Sequence, residues 1–254
     1  MYDKPETDIS WKHLKAVIEN LDEPMVVIGG WAVYYLVNEG YKRNTGRDYI
    51  GSRDIDLGFQ ITDEPEHSAF ALTYTKLIQD LDFRPLSFGR LYKEMDRNTG
   101  ETLEPEIAKN TPSYDIFPMY VDLIIDQITR EFVEHFGFTP IDESLLQPIF
   151  QDAGNRTERC EFGRNLWLPA PDLLLSMKIK SHPDRDKEHK RLKDLSDITA
   201  LVLYTNANPT FSTPTEIQAF QDIVTIHDMD QVAEIIGLEP VTIQAAIFRI
   251  TQGN

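Results

Sequence analysis

Residues 52–59, SRDIDLGF, decide how this chain is read. Ile55, Leu57 and Phe59 are apolar, and Asp54, Asp56 and Gly58 fall between them. That alternation is the mark of a β-strand of about six residues with two unlike faces. The apolar set faces a core. The other face carries two carboxylates whose Cα atoms are about 6.5–7 Å apart. Burying an unpaired carboxylate costs several kcal/mol, so that face is either solvated at a sheet edge or charge-compensated. Carboxylates on such a strand can converge on a pair of divalent ions roughly 3.5–4 Å apart, which would relieve their repulsion. Both readings stand at this point.

Working upstream, Met25-Val26-Val27-Ile28 is a short apolar β-type run, and Gly29-Gly30 opens a helical stretch over "WAVYYLVNEG". Two glycines permit a tight turn and close approach by a phosphate, and a helix N-terminus supplies free N–H groups. A plain turn explains the same pair. The sequence is neither GxGxxG nor a Walker A loop, which weighs against Rossmann and P-loop readings. Residues 8–21, "DISWKHLKAVIENL", have helical spacing with Ser10 as an N-cap. Gly40 closes the second helix, and residues 41–51 form a polar loop.

Downstream, residues 64–81 are helical, with Pro65 in the first turn. "DFRPLSFGRLYKEM" holds one or two strands, and residues 96–113 form a long loop. "YDIFPMYVDLIID" is the next strand region, with Asp122 between Val121 and Leu123. A buried Asp there needs a partner, and a cation held by Asp54 and Asp56 on a neighbouring strand would be one. Asp115 and Asp126 compete for the role nearer the strand ends. "RCEFGRNLWLP" reads as a hairpin.

From Pro171 the pattern turns helical. "PDLLLSMKIKSH" carries Lys178 and Lys180, and "DRDKEHKRLKDLSD" carries Lys193, Asp194 and Asp197 at helical spacing. A Lys projecting from an apolar helix can meet phosphate oxygens, or it can join intrahelical ion pairs. Residues 213–251 add two or three helices. The element order predicts an α/β (α+β) fold, a short mixed sheet flanked by helices with a mostly helical C-terminal part. The domain expectation is 1–168 followed by 169–254.

Composition narrows the classes. The 254 residues are 41% hydrophobic, which supports a sizeable core. No apolar run reaches the roughly 18 residues of a membrane span, and the polar start "MYDKPETDIS" has no secretory pattern, so a cytoplasmic location is expected. The single Cys160 excludes an intramolecular disulfide framework. A net charge of −17 argues against nucleic-acid binding through bulk charge and suits divalent cations, or serves solubility alone.

The set of strand, Gly29-Gly30, helix, the Asp54/Asp56 pair and a third acid on a later strand resembles the nucleotidyltransferase fold of the DNA polymerase β superfamily. The tail "PAPDLLLSMKIKSH…HKRLKDLSDITAL" narrows the resemblance to AbiEii-type nucleotidyltransferases, toxins of type IV toxin–antitoxin systems. The motifs fall at about residues 25–60 and 168–204. The resemblance implies transfer of an NMP from an NTP to a hydroxyl acceptor, with two Mg²⁺ ions, or Mn²⁺, on Asp54, Asp56 and Asp122. It implies nucleotide contacts from Gly29, Gly30, Ser52, Lys178 and Asp197, and a catalytic role for Asp194. The acceptor is left open among tRNA, protein and a small molecule. A cognate antitoxin is an implied partner, and no membrane is. "GGWAV" resembles instead the opening of aminoglycoside and lincosamide nucleotidyltransferases, which is the alternative. An inactive nucleotide-binding module of the same fold is a third reading.

Overall fold

The computed structural model describes residues 4–21, 23–62 and 64–252. Its helices are α1 (Lys4–Asn20), α2 (Gly29–Thr45), α3 (Ala69–Gln79), α4 (Pro105–Ala108), α5 (Arg130–Phe136), α6 (Gln147–Gln151), α7 (Pro171–Ser181), α8 (Glu188–Thr205), α9 (Pro214–Ile223), α10 (Ile226–Ile236) and α11 (Pro240–Gln252). The strands are β1 (Met25–Ile28), β2 (Ile55–Phe59), β3 (Arg84–Ser87), β4 (Arg90–Asp96), β5 (Ile116–Ile125), β6 (Ile141–Asp142), β7 (Arg156–Glu161) and β8 (Arg164–Pro169). They make one sheet in the order β3-β4-β5-β2-β1-β8-β7, with β6 paired to β5. β2 is parallel to β5 and antiparallel to β1, while β4 is antiparallel to β3 and β5. The architecture is the expected mixed sheet flanked by helices, with a helical C-terminal part.

Two compact units divide the chain. One is built from the segment up to Trp31 together with Gly51–Leu168; the other combines Ala32–Ile50 with the chain from Pro169 onward.

In the sheet unit, Ile55, Leu57 and Phe59 are buried, as the alternation requires. Phe59 meets Phe70 at 5.6 Å between ring centroids, and Phe70 meets Phe132 at 5.0 Å. The opposite face of β2 closes partway along. A Cβ at Gly58 would fall 2.6 Å from Leu146 Cδ2, so Gly58 lies directly under that side chain. Asp56 is thus the last position on that face before the cover begins.

In the helical unit, α10 ends in a left-handed Gly237, and capping boxes at Thr213 and Thr225 start α9 and α10. Tyr41 donates to the Ile236 carbonyl at 2.6 Å, tying α2 to the end of α10. Leu192, Leu195, Ile198 and Leu201 bury the inner stripe of α8.

Four local expectations are corrected. Ser10 is not an N-cap: α1 begins at Lys4, and the fully buried Ser10 Oγ accepts from the Trp31 indole at 3.0 Å. Gly40 does not end α2, which continues to Thr45 through the expected loop. A Cβ at Gly40 would meet Tyr204 at 3.3 Å, so the glycine serves close packing on α8 rather than a turn. The 64–81 helix is split, because Pro65 starts a separate 3-10 turn and Ser68 caps α3 by accepting from Ala71 N. The 96–113 segment contains the single turn α4.

Candidate functional site

The strand register assembles the acidic row. Ile28 pairs with Asp56, Asp56 with Asp122, and Asp122 with Arg90, across β1, β2, β5 and β4. Residues in such a row share one face, so the two carboxylates and the guanidinium are neighbours. Asp54 stands just before β2 begins, and Ser52 is buried on the approach to it.

Gly29 follows Ile28 and is the first residue of α2, with φ 63°. A Cβ built there would lie 1.9 Å from Asp56 Oδ2. The first glycine of the pair is therefore fixed by two demands, a left-handed turn and room for the Asp56 carboxylate. The buried Gly30 continues into the helix.

Arg90 is reached by sequence reasoning only as one of several basic residues for a local patch, not as a member of this row. Its Nε and Nη2 donate to Asp122 Oδ1 and Oδ2, each at 2.6 Å, in a bidentate fork. Its guanidinium lies 5.1 Å from the Tyr120 ring centroid. The hydrogen bonds to Asp122, outweighing the penalty of burial and aided by the charges of Asp122, Asp54 and Asp56, hold Arg90 more firmly protonated than usual. The cation that partners Asp122 is therefore a side chain. The signal in the sequence was an Arg opening the alternating strand RLYKEMD, but its partner depended on a non-local register.

Asp126 is structural. It is buried, and its Oδ1 accepts from Ile61 N at 2.9 Å; burial raises its pKa despite that bond. Asp115 lies in a 3-10 turn ahead of β5.

The donors suit Mg²⁺ in kind, being hard carboxylate oxygens. Their arrangement does not: Arg90 occupies both oxygens of Asp122, and among the described residues no three His, Cys, Asp or Glu side chains are grouped to hold a metal ion.

Lys178, Asp194 and Asp197 come together in the helical unit. Lys178 Nζ lies 2.6 Å from Asp194 Oδ1 and 2.9 Å from Asp197 Oδ2. Arg185 donates to Asp194 Oδ2 at 2.5 Å, Lys193 donates to Asp197, and Tyr49 donates to Asp197 Oδ1 at 2.9 Å. Lys178, Lys193, Asp194 and Asp197 are all buried. Burial opposes the charge on Lys178, but Asp194 and Asp197 together raise its pKa. Burial likewise opposes the charge on Asp194, and Lys178 with Arg185 overcome it, leaving a pKa of about 2. Burial lowers Lys193 and raises Tyr49. The Lys178 ammonium is thus committed to carboxylates of its own unit.

No family model matches this sequence, and no curated protein matches it either. Among solved structures, an antigenic nucleotidyltransferase-like protein from Paracoccidioides brasiliensis aligns over 93% of this chain and 94% of its own, at 17% identity and a TM-score of 0.40. Among the described residues, no single helix is long and apolar enough to cross a membrane.

Proposed function

We propose that the chain is a nucleotidyltransferase of the AbiEii-like kind within the polymerase β superfamily. The observation that supports this reading is the row Ile28, Asp56, Asp122, with Gly29 turning beneath the Asp56 carboxylate. It brings a glycine-opened helix N-terminus beside paired acids, as transfer at a polyphosphate requires. In the reaction an acceptor hydroxyl oxygen bonds to the α-phosphorus of an NTP, the bond from that phosphorus to the bridging oxygen breaks, and pyrophosphate leaves. Gly29, Gly30 and the first N–H groups of α2 would hold phosphate oxygens. Asp122 would orient the acceptor hydroxyl and take its proton, and Arg90 would hold Asp122 in position. Asp54 and Asp56 would hold the Mg²⁺ or Mn²⁺ that such a transfer uses to offset charge on the phosphate oxygens, with Asp122 left to Arg90. The acceptor would be a hydroxyl of tRNA, of a protein or of a small molecule, and a cognate antitoxin is the partner this reading predicts.

A second reading is favoured by the Arg90–Asp122 fork: a nucleotide-binding module without transfer activity, since the third acid is already neutralised. One experiment separates them. Each NTP is titrated calorimetrically with and without Mg²⁺, and pyrophosphate release is measured with total RNA and protein extract as acceptors. Transfer requires release that Asp54→Asn and Asp56→Asn abolish while the fold persists. Binding without release under every condition selects the module, and release unchanged in both variants rejects the acidic row as the site.

A further inference from the structure

Two hairpins of the sheet close on the same dipeptide. Phe88-Gly89 joins β3 to β4, and Phe162-Gly163 joins β7 to β8. Both residues of each turn have positive φ: 52° and 78° in the first, 51° and 76° in the second. That pair defines the type I′ hairpin turn, whose first position favours Asn, Asp or Gly. A phenylalanine in the left-handed region is strained and persists only where something holds it.

At Phe162 the holder is visible. Its ring packs edge-on against Trp11 at 5.6 Å, and the Lys15 ammonium lies 5.6 Å from its centroid. At Phe88 there is none. Phe88 is 62% exposed, and its ring has no ring or cation partner among the described residues. The turn beneath it is nonetheless fixed. Leu123 N donates to the Gly89 carbonyl at 3.1 Å, and a Cβ at Gly89 would fall 2.8 Å from the Leu123 carbonyl oxygen. Leu123 follows Asp122, and Arg90 follows Gly89. The strained, unpacked aromatic is therefore mounted on a rigid turn beside the Arg90–Asp122 fork.

We propose that Phe88 is the stacking platform for the nucleobase of the bound nucleotide, an assignment that rests on the nucleotide reading above. A flat phenyl face stacks on any base and reads no hydrogen-bond edge, so it supplies affinity with little discrimination among the four NTPs.

Phe88→Asn tests this, because it improves the turn while removing the ring. Its urea midpoint rises, its ATP affinity falls about tenfold, and its affinity for inorganic tripolyphosphate is unchanged. Phe88→Trp restores ATP binding. Phe162→Asn, the matched control, lowers the urea midpoint and leaves ATP affinity alone. The platform is overturned if Phe88→Asn binds ATP like the parent, or if it loses ATP and tripolyphosphate equally. A Phe88-dependent elution volume with unaltered ATP affinity also overturns it, assigning the ring to contact between copies. A parent protein that binds none of the four NTPs sinks the nucleotide reading itself, and the platform with it.

Discussion

Arg90 grips Asp122 through two hydrogen bonds of 2.6 Å, on the face of the sheet that also presents Asp56. The fork makes a cation and a divalent ion competitors for one carboxylate. Arg90→Ala leaves Asp122 buried and unpaired, so the urea midpoint falls by an amount equivalent to about 2–3 kcal/mol. The same variant frees both Asp122 oxygens, and Mn²⁺ affinity, followed by the loss of free-ion paramagnetic signal, rises. Arg90→Lys keeps the charge but not the fork and falls between. Unaltered Mn²⁺ affinity in Arg90→Ala would mean that ion and guanidinium do not compete.

Gly29→Ala faces two obstacles, a φ of 63° and a Cβ 1.9 Å from Asp56 Oδ2. Asp56 has to move, because the backbone of β1 and β2 is held by their ladder. A stability loss of about 2 kcal/mol or more is expected, together with loss of NTP turnover. Ala tolerated at Gly29 with full activity would contradict the register described for Asp56.

Lys178 offers a choice between two jobs. As the shared partner of Asp194 and Asp197, its removal leaves Asp194 to Arg185 and Asp197 to Lys193 and Tyr49, and Lys178→Ala is expected to cost about 3 kcal/mol. As a nucleotide contact, its removal would raise KM and spare the fold. Urea denaturation beside NTP kinetics on one variant tells these apart. An unmoved urea midpoint with a raised KM would return Lys178 to the nucleotide.

His182 gives the helical unit an acid limit. It is buried against Phe220, its Nδ1 has no hydrogen-bond partner, and burial lowers its pKa to about 4. The unfolded chain takes up that proton near pH 6.5, the folded chain only near 4. Stability is therefore complete above about pH 6.5 and declines as pH falls toward 4, by on the order of 3 kcal/mol. His182→Leu should flatten urea midpoints measured from pH 7 to 4.5; a slope as steep as the parent's would place the acid sensitivity elsewhere.

What the sequence made legible was local. The SRDIDLGF alternation, the Val121-Asp122-Leu123 run and the Phe162-Gly163 hairpin each announce themselves within a few residues, because strand period and turn chemistry are short-range. The pairings of Arg90 and Tyr49 were invisible for the opposite reason. Their partners, Asp122 and Asp197, lie 32 and 148 residues away, and only β-register and helix packing bring them together. Gly40 misled because a glycine that admits a neighbouring Tyr204 looks, in one dimension, like a glycine that ends a helix.

The Lys178–Asp194–Asp197 cluster has a consequence in brine. Dissolved ions shorten the reach of exposed charges to about 8 Å at physiological strength and about 3 Å at 1 M, but they do not enter a packed interior. An outlying pair such as Arg130–Glu134 fades as salt rises, while the interior cluster keeps its full attraction. The surplus of 17 negative charges, which pushes the folded chain apart in dilute buffer, is meanwhile muffled. Salt thus weakens what opposes this fold and leaves its innermost ionic lock untouched, so the protein should hold together better in concentrated sodium chloride than in fresh water.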